Sequence, residues 1–120
     1  MKIEIPMKLP SLNEYINQCR CNKYAGAYMK EKIEKDMLLF INKLPVYKNP
    51  ITITFTWVEK NKRRDLDNIC FGKKFILDCL QKAGKINNDN QEYVKGFEDR
   101  FEIGDDYKVI VEIEEEKDVN

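Results

Sequence analysis

Histidine is missing altogether from the 120 residues. A Ser-His-Asp triad, a Cys-His pair and a histidine-based zinc site all need an imidazole, so any catalysis must run on carboxylates, lysines and metal. Net charge is missing as well: 21 basic side chains balance 21 acidic ones. That balance excludes the uniformly basic surface of a histone-like protein but permits local patches. No apolar stretch reaches bilayer length, and the start MKIEIPMKLP lacks the apolar region of a signal peptide, so a cytoplasmic protein is expected. The four cysteines, Cys19, Cys21, Cys70 and Cys79, have no paired C-x-x-C spacing and read as reduced thiols, mostly packing groups.

Apolar residues make up 42% and charged residues 35%, enough for one core beneath a densely charged surface. A chain of this length buries roughly two-thirds of its unfolded surface, and a single domain over residues 1–120 is expected. There is no repeat and no low-complexity linker.

Lys2 to Leu9 alternates weakly and reads as a strand, interrupted by Pro6 and suited to a sheet edge. Pro10-Ser11-Leu12-Asn13 reads as a turn. Met29, Ile33, Met37, Phe40 and Leu44 recur at three- and four-residue spacing, which predicts an amphipathic helix over 25–44. Ile51, Ile53, Phe55 and Trp57 alternate with Thr52, Thr54, Thr56 and Val58, the period of a strand with one large apolar face. A second helix is expected over 66–83, with Gly84 as its stop. Two strands near 92–103 and 107–114 follow, joined as a hairpin by Gly104-Asp105-Asp106. The order β-α-β-α-β-β, with two helices over a small mixed or antiparallel sheet, makes the fold α+β.

The run KRRDLDN, residues 62–68, lies between the Trp57 strand and the second helix. From Glu59 to Lys74 six bases face three acids, a local excess of three positive charges. In extended chain, residues i and i+2 point the same way, so Asp65 and Asp67 would present two carboxylates together, a donor set for magnesium or manganese. Helix capping by either aspartate is the plainer reading. On one continuous helix Asp67, Lys74 and Asp78 fall within about twenty degrees of a single stripe. Asp89 stands in a polar turn, ordinary for aspartate. The helix over 66–83 alone would carry the chain roughly 25 Å beyond Asp67, so Asp89 joins the pair only if the chain folds back or is irregular around Phe71-Gly72.

The sequence DLDN, the segment KFILDCLQKAG, the pair Asn88-Asp89 and the N-terminal PSLNEY together resemble the RusA family of Holliday-junction resolvases, over nearly the whole chain. The resemblance implies a homodimeric endodeoxyribonuclease of phage or bacterial recombination that uses magnesium, with manganese as a substitute, to cut four-way DNA junctions. It implies Asp65, Asp67 and Asp89 as metal ligands and Lys74 as the lysine beside them, with Lys73 competing for that role. It further implies DNA contacts from Lys60, Lys62, Arg63, Arg64, Lys73, Asn68 and Asn13. This chain departs from the family in a few extra residues around Cys70 to Lys73 and in Asn88, where an acid is common. Phe97, Phe101 and the valines of the last strand are candidates for a dimer surface or for core. Two other classes stand beside the nuclease: a nucleic-acid-binding module of the same fold without cleavage, and an enzyme holding a nucleoside diphosphate on Asp-x-Asp.

Overall fold

The computed structural model describes residues 1–117 as an α+β domain with a four-stranded mixed sheet. Its elements are β1 (Lys2–Ile5), α1 (Leu12–Cys21), α2 (Ala25–Ile41), β2 (Ile51–Glu59), α3 (Leu66–Cys70), α4 (Lys73–Lys82), β3 (Val94–Ile103) and β4 (Lys108–Glu115). The strand order is β1-β4-β2-β3.

The expected hairpin between the last two strands does not form. β2 lies between them, parallel to β3 and antiparallel to β4. The physical reason is burial: Ile51, Ile53, Phe55 and Trp57 are all but completely enclosed, and Thr56 and Val58 on the other face are buried too. A strand covered on both faces gains most from the centre, where both of its edges are also paired. The connection after β3 passes over the end of β2, where the Gly104 amide donates to the Glu59 carbonyl at 2.8 Å. A Cβ at Gly104 would lie 2.8 Å from Val58 Cγ1, so this approach excludes larger residues. β1 takes the edge position expected of it, with Ile3 and Ile5 inward opposite Val111 and Val109. Those two valines are buried core, which removes them from any dimer surface.

The amphipathic helix over 25–44 is α2, ending three residues early at Ile41, with Met37 and Ile41 fully buried. The stretch read as a turn at Ser11 is the start of a helix, α1. Ser11 Oγ accepts from the Glu14 amide at 3.1 Å, the cap bond of an S-x-x-E sequence. All four cysteines are free, and only Cys79 is buried; Cys19 and Cys21 are exposed, so a packing role fits them poorly.

The predicted second helix is two helices. Gly72 stands at the break between α3 and α4, where a Cβ would come within 3.0 Å of Leu9 and of the Trp57 ring. Its amide bonds back three residues to Ile69, and Lys74 does the same to Phe71, so the chain turns tightly without a side chain at the contact.

Candidate functional site

The site grows out of the end of β2. Glu59 is buried there, and Arg64 reaches back to it: Nε and Nη2 donate to its two carboxylate oxygens at 2.8 Å each, and Nη1 donates to the Leu9 carbonyl at 3.0 Å. The hydrogen bonds to Glu59 raise the Arg64 pKa against the opposing effect of burial. This clamp folds the 60–65 loop over the sheet, and it commits Arg64 to the protein rather than to a ligand.

Asp65 follows as the N-cap residue of α3 with extended backbone (φ −69°, ψ 150°), yet its side chain makes no cap hydrogen bond. Asp67 sits in the first helical turn. Both carboxylates are exposed, and among the described residues neither has a hydrogen-bond or ion-pair partner. The capping bond is therefore unmade. The side-by-side pairing expected of extended chain is also lost, because the helix begins at Leu66 and residues i and i+2 of a helix do not face each other.

The break at Gly72 separates the two lysines. Lys74 is exposed and pairs with Asp78 at 3.5 Å, while Lys30 of α2 meets the same oxygen at 2.7 Å. The shared stripe of Asp67, Lys74 and Asp78 is lost, since it required one unbroken helix. Lys73 instead lies half-buried, with Nζ 2.6 Å from Asp99 Oδ2 and 4.8 Å from the centre of the Phe97 ring. Asp99 Oδ1 accepts from Trp57 Nε1 at 2.9 Å. The Cys70 thiol donates to the Asp67 carbonyl at 3.8 Å; burial raises its pKa, Lys73 lowers it, and Asp99 and Asp67 raise it further.

Asp89 lies half-buried in the turn after α4, where its amide donates to Asn88 Oδ1 at 2.7 Å. Among the described residues no three acidic or cysteine side chains form a group that could hold a metal ion, so Asp65, Asp67 and Asp89 are not assembled as a three-ligand set. The donor chemistry suits magnesium, which is commonly held by one or two carboxylates together with water and substrate phosphate. Asp65 and Asp67 supply unpartnered carboxylates of that kind; the arrangement of all three aspartates does not supply a finished site.

Of the remaining expected contacts, Lys62 and Arg63 are exposed, with side chains unpaired among the described residues. Lys60 is 4.0 Å from Asp106 and 5.7 Å from the centre of the Tyr107 ring. Asn68 Oδ1 accepts from the Asn13 amide at 3.1 Å, which ties α3 to α1 and uses part of Asn68 structurally. A cavity of about 340 Å³ opens beside Asp65, walled by Leu66, Ile69, Phe101 and Ile103 and bordered by Lys62.

Asp99 and Trp57 were not picked out from the sequence. The signal was there in β3, where Phe97, Asp99 and Phe101 alternate and place an acid on the apolar face. No family model matches this chain, and no curated protein sequence matches it. Among the described residues no helix is long and apolar enough to cross a membrane.

Proposed function

We propose that the chain is a magnesium-dependent, structure-specific endodeoxyribonuclease that resolves four-way DNA junctions by paired strand cleavage. One observation carries this reading: two exposed carboxylates, Asp65 and Asp67, and two exposed cations, Lys62 and Arg63, stand on either side of Arg64, with all four side chains unpaired among the described residues. The start of α3 favours negative charge at Asp65 and Asp67 but not the cations before them, whereas a phosphodiester needs both signs of charge. The cations neutralise backbone phosphates, and the carboxylates attract a divalent ion. Bound there, magnesium or manganese would polarise a phosphate oxygen and lower the pKa of an attacking water. Lys73, held in place by Asp99, suits the stabilisation of charge on the phosphate better than the exposed Lys74.

Two cuts related by the junction's symmetry call for two sites, hence a homodimer. The open edge of β3, with Phe97 and Ile103 exposed, is a surface for that contact. The incomplete grouping of the three aspartates favours a second reading, a junction-binding module without cleavage.

A labelled four-way junction incubated with the protein and magnesium separates the two. Symmetric nicks in opposite strands support the nuclease, and binding without nicks supports the module. Neither binding nor cleavage would end the nucleic-acid reading.

A further inference from the structure

The pair formed by Lys73 and Asp99 is unusual for its position. β3 is an edge strand, and in its register Asp99 stands opposite Phe55, with Phe97 and Phe101 on the same face opposite Ile53 and Trp57. Among the described residues two polar groups hydrogen-bond the Asp99 carboxylate, one to each oxygen. Oδ1 receives the Trp57 indole N–H at 2.9 Å, and Oδ2 receives the Lys73 ammonium at 2.6 Å. Trp57 is itself immobile, 2% exposed and stacked on Phe55 with ring centroids 5.4 Å apart. The ammonium also lies over the Phe55 and Phe97 rings, with Nζ 5.6 and 4.8 Å from their centres. A long, flexible side chain is thereby restricted at its charged end by a carboxylate and two aromatic faces.

We propose that Asp99, locked by Trp57, is the positioning residue for Lys73, fixing the direction in which its ammonium is presented to a phosphate. The inference rests on the junction-cleaving reading and deepens it. Asp99 itself touches neither phosphate nor metal; it acts through the lysine. A fixed cation stabilises developing charge without having to be ordered at the moment of reaction, which is where preorganised sites gain rate. The competing explanation is an inward-pointing charge that discourages edge-to-edge association of β3, a purely structural device.

Asp99→Asn separates the two bonds, because asparagine Oδ1 still accepts from the indole while the amide no longer pairs with an ammonium. The resonance of the chain's one tryptophan then reports whether the local fold persists. With the indole signal retained, the expected result is a kcat lower by roughly 10- to 100-fold, with KM within about threefold. Asp99→Glu should recover part of that loss. Because Asp99 works through Lys73, the double variant Asp99→Asn/Lys73→Ala should be no slower than Lys73→Ala alone. Wild-type turnover in Asp99→Asn, or losses that multiply in the double variant, would overturn the assignment. A lowered melting temperature with unchanged turnover overturns it in favour of the edge-strand role.

If the wild type binds junctions without cutting them, the same non-additivity is read in junction affinity, and an unchanged affinity in Asp99→Asn overturns the inference. A wild type that neither binds nor cuts ends the nucleic-acid reading and this inference together. An active wild type with an indifferent Asp99→Asn ends the inference alone.

Discussion

Arg64 holds both oxygens of Glu59 at 2.8 Å, with the two side chains only 16% and 8% exposed. Of the four candidate cations Lys60, Lys62, Arg63 and Arg64, the last is thus built into the protein. Removing it leaves a buried carboxylate without its partner, and Arg64→Ala should cost about 3 kcal/mol of stability. Arg63→Ala should change stability by less than about 0.5 kcal/mol. Denaturant unfolding of both variants measures the contrast, and junction binding gives the complement: Arg63→Ala should lower the slope of log affinity against log salt by about one.

The unpartnered carboxylates give the sharpest functional contrast. Asp67→Asn should reduce junction cleavage below one-hundredth of wild type while preserving or strengthening binding, since it removes a ligand charge and a repulsion of phosphate in one step. Quantified nicking against gel-shift affinity tests this, and cleavage retained at wild-type rate contradicts the metal assignment.

The two lysines should behave differently. Lys74→Ala removes only an exposed partner of Asp78, which Lys30 continues to hold at 2.7 Å, so both turnover and stability should stay close to wild type. Lys73→Ala should cut turnover at least tenfold. Single-turnover cleavage by each variant decides between them.

The α1 cap predicts a modest and local effect. Ser11→Ala removes the acceptor of the Glu14 amide and should destabilise the domain by about 1 kcal/mol. Ser11→Asp, which keeps an acceptor, should restore most of it. Urea midpoints of the two variants provide the comparison.

Alkaline stability should depend on Cys79. Burial pushes its thiol up from 9.0 to about 11, and Sγ lies 3.6 Å from the Glu34 carbonyl in the α2–α4 contact. The unfolded chain releases this proton near pH 9 and the folded chain near 11, so the neutral thiol's contribution is complete below pH 9 and lost as pH rises towards 11. Cys79→Ala should be less stable at neutral pH but lose less between pH 9 and 11. Thermal melts across that range test the difference in slope.

Local signals in the sequence were sufficient for β2, β1 and α2, because alternation at period two and recurrence at three and four residues reflect which side of each element meets the core. The order of cations and carboxylates in KRRDLDN was equally legible. Ser11 to Glu14 carried a helix start that was read as a turn, although the spacing of a cap and its glutamate was present. For Asp89 to join the pair the sequence requires either a chain that folds back or an irregularity around Phe71-Gly72; the break occurs, but among the described residues it does not bring three acids together.

By itself, then, the sequence determined the type of the main elements and the charge pattern at the β2–α3 junction, since both are properties of neighbours along the chain. Only the tertiary structure decided that β2 separates β3 from β4, that Arg64 belongs to Glu59, and that Lys73 rather than Lys74 meets Asp99. Each of these depends on one element docking on another: Asp99 is 42 residues from Trp57 and 26 from Lys73 along the chain. Such partners are chosen by burial and packing across the whole core, and periodicity within one segment carries no record of that choice.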